Sequence, residues 1–331
     1  MDGGFYAAIA LRSQPMRVAV VDLGTNSTRL LVAEVKEGGV EELQRRTTVT
    51  RLGEGVDRSG RLTEEAMERV FEVLADYREA IERLHAERVV GVATSAVRDA
   101  VNGAGFQAAL VERFGIEART ISGEEEARLT FLGATADRPH SSAETLVLDI
   151  GGGSTEYVIG TPGEGPEFHA STRLGSVRHT ERHLSTDPPD SGQLAELSRA
   201  AARVIEEELP EALRREVSAG IAVAGTATSL AAIDQGLDPY DPARVHGYRL
   251  SLGACESMLA TLAALPLVER REVTGLHPDR APTIVAGAAI LVESMRAFGL
   301  DEMEASEADI LHGAALATAG EAGVSGRGET G

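Results

Sequence analysis

The feature that most constrains this chain is an internal repeat. The segment DLGTNSTRLLVA, residues 22–33, can be laid over DIGGGSTEYVIG, residues 149–160, without a gap. The aspartate, the first glycine, the serine and the threonine are identical, and each copy lies between two apolar strand-like runs. A unit of strand, glycine turn and strand in each half of a chain of 331 residues predicts two domains with one similar hairpin each.

Outside the repeat, strand-like runs alternate with amphipathic helical patterns, which favours an α/β fold. Long helices are predicted over residues 63–84 and 191–213, from their apolar spacing and polar start signals. The polar segment 137–144 (DRPHSSAE) is the best candidate for a linker, because the strand pattern begins again at Leu146.

These boundaries predict a first domain over residues 16–140 and a second domain over residues 141–320. We allow for one exception, since the last helix, near 309–318, could pack back on the first domain. The two ends of the chain, residues 1–15 and 321–331, lack periodicity and are expected to be disordered.

The charge of the chain excludes several classes of partner. A formal net charge of -20 repels both nucleic acids and anionic lipids. No run approaches the roughly 18 uninterrupted apolar residues that a membrane-spanning helix needs. We therefore expect no nucleic acid partner and no membrane partner.

Single residues exclude further chemistry. Cys255 is the only cysteine, so the chain cannot form an intramolecular disulfide, which fits the cytoplasm as its location. Lys36 is the only lysine and is not part of a Gly-Lys-Ser/Thr phosphate loop. His179 and His183 have zinc-ligand spacing, but no third ligand is evident, and we interpret them as core or surface histidines.

The glycine turns of the repeat suit a phosphate chain. Glycine has no Cβ, so the backbone N–H groups of such a turn can approach an anion. The candidate phosphate-binding residues of the two turns are Gly24, Thr25, Asn26, Ser27, Thr28, Gly151, Gly152, Gly153, Ser154 and Thr155. Asp22 and Asp149 would repel phosphate, so we expect them to hold Mg²⁺, or Mn²⁺, through water. Two ordinary hairpin turns with capping aspartates are the alternative, which the matching context of the two turns disfavours.

A third glycine element, VAGTATSL over residues 223–230, follows a strand and opens a helix. A helix N-terminus with small residues can bind an anion, which makes Gly225 and Thr226 further candidates for phosphate binding. Alone this signal is weak, because a strand–helix turn capped by Thr228 would have the same sequence.

The order of these motifs resembles the actin-like superfamily. Within it, the sequence is similar to the exopolyphosphatase / guanosine pentaphosphate phosphohydrolase family. Five stretches carry the resemblance: DLGTNSTRL (22–30), ATSAVRDAVN (93–102), ISGEEEARL (121–129), DIGGGSTE (149–156) and GTATS (225–229). The resemblance implies two actin-like, ribonuclease H-like α/β domains with an interdomain cleft, and a homodimer.

The resemblance also implies the catalytic groups of a phosphoanhydride hydrolase. Glu126 would be the general base, and Glu156 would position the attacking water or the metal ion. The run of three glutamates at 124–126 leaves the register open, so Glu125 is the alternative base. Arg98 lies in a family stretch and would bind the phosphates of the substrate.

The expected activity is Mg²⁺-dependent removal of terminal phosphate from inorganic polyphosphate. We expect short chains to be preferred, because longer family members carry additional C-terminal helical domains that this sequence lacks. Hydrolysis of guanosine pentaphosphate is the alternative within the family, and no residue separates the two substrates. A kinase or chaperone-like ATPase of the same fold and a catalytically silent sensor are less favoured, since neither explains the 122–127 stretch together with Glu156.

Overall fold

The computed structural model describes residues 15–36, 39–138 and 142–325, with side chains described up to residue 320. In chain order, its helices and strands are β1 (Met16–Leu23), β2 (Ser27–Lys36), β3 (Gly39–Val49), α1 (Val56–Ser59), α2 (Glu64–Arg83), β4 (Arg88–Ala93), α3 (Ser95–Asp99), α4 (Gly103–Phe114), β5 (Ala118–Thr120), α5 (Gly123–Thr135), β6 (Thr145–Ile150), β7 (Thr155–Thr161), β8 (Gly165–Thr172), α6 (Ser176–His183), α7 (Ser191–Glu208), α8 (Glu211–Glu216), β9 (Ala219–Val223), α9 (Ala224–Asp234), α10 (Pro242–Val245), β10 (Arg249–Ser251), α11 (Leu252–Ala264), α12 (Leu267–Arg270), α13 (Ile284–Phe298), β11 (Glu302–Ala305) and α14 (Ile310–Ser325).

The chain forms two compact units. Among the described residues, the first comprises those within Met1–Ser141, Pro162–Pro166 and Asp309–Gly331, and the second comprises those within Ser142–Thr161 and Glu167–Ala308. This is an α/β structure with one sheet in each half of the chain.

The sheet of the first unit has the strand order β3-β2-β1-β4-β5. β1 pairs antiparallel with β2 and parallel with β4. Alternate residues of β1 enter two cores: Ala19 and Val21 pack on one face, and Val18 and Val20 pack on the other. Asp22 has the same alternation as Val18 and Val20, and it therefore lies on the face of the sheet that α14 covers.

The sheet of the second unit repeats this arrangement, with the strand order β10-β11-β9-β6-β7-β8. β6 pairs antiparallel with β7 and parallel with β9, as β1 does with β2 and β4. The internal repeat of the sequence is thus a repeat of structure. β6 and β7 are buried along their whole length, and their central residues, 146–148 and 157–159, are apolar.

Two predicted boundaries are wrong at the C-terminal end. The second domain does not extend to residue 320, because Ile310, Leu311 and Ala314 of α14 pack with the core of the first unit, which is the exception allowed for the last helix. Disorder is also wrong for residues 321–325, since α14 continues to Ser325. No proline interrupts it there, and glutamate and alanine favour a helix. Predicted disorder at residues 1–14 and 326–331 lies outside the described residues.

The long helix predicted over residues 191–213 is two helices, α7 and α8, with Pro210 between them. Proline has no backbone N–H and disfavours helical backbone in the residue before it. Leu209 is accordingly extended, with φ -115° and ψ 110°. In the part of the chain that the structure describes, no helix has both the length and the hydrophobicity needed to span a membrane.

Candidate active site

The two glycine turns of the repeat close with the same hydrogen bond. The Gly24 amide donates to the carbonyl of Ser27 at 3.1 Å, and the Gly151 amide donates to the carbonyl of Ser154 at 3.0 Å. A Cβ on Gly24 would lie 2.9 Å from the Ser27 carbonyl oxygen, and one on Gly151 would lie 3.1 Å from that of Ser154. The first turn is therefore too tight for a larger residue at Gly24, and the second is tight at Gly151.

Each turn presents backbone N–H groups without a partner. The amides of Thr25, Asn26, Gly152 and Gly153 donate no hydrogen bond to another residue within the described ranges. Three of these four residues are buried, whereas nearly all buried amides in folded proteins are paired. Adjacent free amides at a glycine turn form a typical anion-binding site.

The carbonyl groups of the second turn are held by the start of α6. The Ser176 amide donates to the Gly151 carbonyl and the Val177 amide to the Gly152 carbonyl, both at 2.9 Å. The Arg178 Nε donates to the Gly153 carbonyl at 2.8 Å. These bonds fix the orientation of the peptide units, so the amides of the turn are preorganised.

Two of the predicted phosphate-binding side chains point into the protein. The Thr28 Oγ1 lies 3.0 Å from the Thr50 Oγ1, and the Thr155 Oγ1 donates to the Leu174 carbonyl. Both threonines are fully buried. Because successive side chains of a strand point to opposite faces, Thr28 and Ser27 cannot both face the same side. Both hydroxyl groups are thus bonded within the protein and support the turns, while phosphate binding by Thr28 and Thr155 stays a prediction.

The first turn is linked to the 93–102 stretch. The Thr25 Oγ1 lies 2.8 Å from the Ser95 Oγ, and both residues are buried. Ser95 opens the short helix α3, which carries Arg98. The hydrogen bond therefore holds two of the sequence-predicted segments together.

The Asp22 carboxylate is buried and half paired. Arg29, its partner in the antiparallel register, approaches the Oδ2 atom with Nε at 2.7 Å and Nη2 at 2.6 Å. The Oδ1 atom has no hydrogen-bond partner among the described residues. Burial raises the pKa of Asp22, and the Arg29 guanidinium offsets only part of this effect. An open, buried carboxylate oxygen is the kind of ligand that a divalent cation or its bound water requires.

The second turn places two carboxylates opposite each other. Asp149 and Glu156 are partners in the antiparallel register of β6 and β7, and they are 7% and 1% exposed. Like charges directly opposite each other destabilise a sheet unless a cation or another charge neutralises them. The Ser171 hydroxyl donates to the Glu156 Oε1 at 2.9 Å and so orients this side chain.

The three glutamates at the start of α5 differ in environment. Glu126 is 6% exposed, and the Arg98 Nη1 donates to its Oε2 at 3.1 Å. The Glu125 side chain is 40% exposed and is bound through both oxygens by Arg128, at 2.8 and 2.9 Å. Glu126 is thus the buried carboxylate beside a predicted phosphate-binding arginine, and the geometry favours it over Glu125 as the base.

At the third glycine element, α9 begins directly at Ala224. A Cβ on Gly225 would lie 1.4 Å from the Nη1 of Arg280, so the guanidinium rests on the backbone of this turn. The Thr226 side chain packs closely on Gly287, because a Cβ on Gly287 would lie 2.6 Å from the Thr226 Oγ1. Gly225 is therefore required for the position of Arg280, and Thr226 is buried against α13.

The His179 and His183 pair is part of the packing of α6. Their rings stack with centroids 5.4 Å apart, and His179 is 4% exposed. Burial lowers the pKa of His179 to about 4, with a smaller contribution from His183. Among the residues that the structure describes, no group of three or more His, Cys, Asp or Glu side chains is arranged to hold a metal ion.

Sequence reasoning missed two residues next to the predicted site, Ser171 and Asp309. Ser171 and Asp309 are distant in sequence from the carboxylates and guanidinium they contact, and the sequence offered no signal for either. Arg29 is a candidate for binding phosphate from the sequence, and its pairing with Asp22 follows from the hairpin, because a turn closing between Gly24 and Ser27 places the two residues opposite each other.

A sequence model of the Ppx/GppA phosphatase family matches residues 31–320. The chain belongs to this family.

Relatives within the Ppx/GppA family extend over almost the whole chain. Exopolyphosphatase 2 of Mycobacterium tuberculosis is 39% identical over 321 residues, which cover 92% of this chain and 99% of the relative. Exopolyphosphatase 1 of Mycobacterium bovis is 32% identical over 298 residues, which cover 87% of this chain and 84% of the relative.

Solved structures of the family share the fold. An exopolyphosphatase-like protein, 34% identical, has a TM-score of 0.85, with 92% of this chain and 98% of that protein covered. The Aquifex aeolicus family member, 30% identical, has a TM-score of 0.79, with 93% and 99% covered. The α/β fold with two actin-like domains is thereby confirmed.

Proposed function

We propose that this protein is an exopolyphosphatase that hydrolyses the terminal phosphate of inorganic polyphosphate and depends on Mg²⁺ or Mn²⁺. The observation that carries the proposal is the pair of tight glycine turns, each with adjacent amides that have no partner among the described residues and lie next to a buried aspartate. A polyphosphate chain offers only repeated phosphate groups, and these are what such turns bind. The mycobacterial relatives named exopolyphosphatase support the same activity.

Glu126 is the proposed general base. Its carboxylate accepts the proton of a water molecule that attacks the terminal phosphorus, while the bond to the bridging oxygen breaks and the shortened chain leaves with the electron pair. Arg98 donates to Glu126 in the structure, and its remaining N–H groups can donate to a phosphate oxygen. Glu156, held by Ser171, orients water or metal ligands in the second unit.

The residues present fit a divalent cation. Asp22 offers one open oxygen in the first unit, and Asp149 and Glu156 form a buried acidic pair in the second. Such ions often keep most of their water and bind through one or two carboxylates. When bound, Mg²⁺ or Mn²⁺ would neutralise charge on the phosphate oxygens.

A matched pair of variants tests the base. Glu126→Gln should lower turnover by about 10²–10⁴-fold with the KM for polyphosphate retained, the range typical of a lost general base. Glu125→Gln should change turnover less than about fivefold, because an exposed ion pair contributes about 1 kcal/mol or less. Near wild-type turnover by Glu126→Gln would contradict the proposed mechanism, and an inactive Glu125→Gln would then reassign the base.

The substrate is tested by phosphate release from polyphosphate, guanosine pentaphosphate and ATP side by side, with Mg²⁺ and with excess chelator. We expect release from polyphosphate, and its loss in chelator. Release only from guanosine pentaphosphate would identify the other activity of the family. Release from ATP alone would indicate an ATPase, and polyphosphate binding without release would indicate a sensor.

We also propose that the protein is a homodimer of the cytoplasm. The resemblance to the family is the basis for the dimer, and the lack of any possible intramolecular disulfide is the basis for the location. Burial raises the pKa of the single thiol, Cys255, to about 12, so it is protonated at neutral pH. Sedimentation equilibrium tests the dimer, and a mass of about 35 kDa would contradict it.

A further inference from the structure

The helix α14 begins beside the guanidinium that binds Asp22. Asp309, the residue before the helix, is fully buried. Its Oδ1 accepts a hydrogen bond from the Leu311 amide at 3.0 Å, as a helix cap does. Its Oδ2 accepts a hydrogen bond from the Nη1 of Arg29. Arg29 is therefore held between two carboxylates, Asp309 and Asp22.

The way in which Arg29 binds Asp22 is unusual. A guanidinium fork normally pairs with both oxygens of a carboxylate. Here Nε and Nη2 both contact Oδ2, at 2.7 and 2.6 Å, and leave Oδ1 open. Because Nη1 is bound to Asp309, the guanidinium cannot shift along Asp22 to cover both oxygens without giving up that bond.

We propose that Asp309 is a positioning residue, which restrains Arg29 so that one oxygen of Asp22 stays available to a divalent cation. The inference rests on the proposed function, in which Asp22 is one of the carboxylates that hold Mg²⁺ or Mn²⁺. It assigns a role to a residue that lies 280 positions from Arg29 in the sequence.

The position of Asp309 is itself fixed by a close helix crossing. A Cβ on Gly133 of α5 would lie 1.9 Å from the Asp309 carbonyl oxygen, and one on Gly313 of α14 would lie 1.8 Å from the Leu129 carbonyl oxygen. The two helices thus touch backbone to backbone. Because α5 also carries Glu126, the same contact sets the start of α14 relative to the helix of the proposed base.

Three further charged side chains surround Asp309. The Arg45 Nη2 lies 3.4 Å from its Oδ2, and the His312 Nδ1 lies 4.0 Å from its Oδ1. His312 in turn places its Nε2 2.9 Å from the Oε1 of Glu42. Glu42 belongs to the same cluster as Asp309 and pairs with His312 and Arg45, which makes it the matched control for a change of charge.

The test is direct titration of the full-length protein with Mn²⁺, followed by electron paramagnetic resonance, without substrate. Asp309→Asn keeps the helix cap, because asparagine caps as well as aspartate, but it no longer attracts Arg29. We expect its Kd for Mn²⁺ to rise at least about 10-fold, as is typical when a residue that supports a metal ligand is lost. Glu42→Gln, with the same change of charge, should stay within about twofold of the wild type.

Each outcome of the titration is decisive. Equal affinity in Asp309→Asn and the wild type would overturn the proposal, and so would an equal loss in both variants, which would indicate a general effect of charge. Absence of saturable Mn²⁺ binding in the wild type would overturn it too. A wild type that binds Mn²⁺ but releases no phosphate from polyphosphate would refute the proposed function and leave the role of Asp309 standing.

Discussion

Replacing Gly133 by alanine tests how firmly the crossing of α5 and α14 is set. The added Cβ would lie 1.9 Å from the Asp309 carbonyl oxygen, which belongs to the main chain and cannot rotate aside. Restoring an ordinary contact of 3.4 Å would require the helices to separate by about 1.5 Å. Overpacking of this kind costs about 1–3 kcal/mol, whereas alanine gains about 1 kcal/mol of helix propensity over glycine. Since only the main chain can yield, we expect a net loss of about 2 kcal/mol of unfolding free energy.

The matched control is Gly105→Ala in α4, where a Cβ would meet nothing within 4 Å. This variant should gain about 1 kcal/mol, from helix propensity alone. Calorimetric unfolding of the wild type and both variants measures the difference, and Mn²⁺ titration reports on Asp309. If Gly133→Ala were as stable as Gly105→Ala and bound Mn²⁺ like the wild type, the crossing would not position Asp309 and the argument would fail.

Three other predictions concern His312 beside Asp309, the Asp149 and Glu156 pair, and the way in which long polyphosphate is shortened. Burial would lower the pKa of His312, but Asp309 and Glu42 raise this pKa above its ordinary value. The protonated imidazole therefore stabilises the fold fully below about pH 6.5, and this stabilisation is lost as the pH rises through the raised pKa. His312→Gln should therefore lower the melting temperature most near pH 6, and a loss that grew toward pH 9 would contradict this. Ser171→Ala should raise the Mg²⁺ concentration for half-maximal activity about 10-fold, whereas Ser171→Thr, which keeps the hydroxyl, should restore it. Time-resolved gels of long polyphosphate should show a ladder of intermediates, because a net charge of -20 repels chain outside the site; full-length chain together with free phosphate and no intermediates would indicate processive action instead.

The repeat, the α/β class and the two turns could be predicted because they depend on short-range patterns. Apolar strands flanking a glycine turn specify a hairpin whatever lies around it. β3 was missed, since its sequence, GVEELQRRTTV, has no apolar face and is half-buried or exposed throughout. An edge strand of this kind is defined by its pairing with β2 and not by its own hydrophobic pattern.

The supporting residues of the site could not be predicted, because their contacts are long-range. The hydroxyl of Thr28 is as suitable for phosphate as that of Ser27, and only the strand alternation turns it into the core. The distinction between Glu125 and Glu126 likewise required the structure, since both begin the same helix and only one is buried. No local pattern indicates that Asp309 meets Arg29.

The two copies of the repeat carry opposite charges at one aligned position, Arg29 and Glu156, and this difference explains why each turn needs its own supporting residue. Asp22 faces Arg29, whereas Asp149 faces Glu156, so the aspartate beside a similar turn meets a cationic side chain in one unit and a second anionic side chain in the other. Arg29 must be kept from covering its aspartate, and Asp309 provides that restraint. Glu156 must be kept in one orientation beside the like charge of Asp149, and the hydrogen bond from the Ser171 hydroxyl fixes that orientation. Removing either support leaves the amides of both turns in place, so Asp309→Asn and Ser171→Ala should both change the metal requirement while the affinity for phosphate is retained.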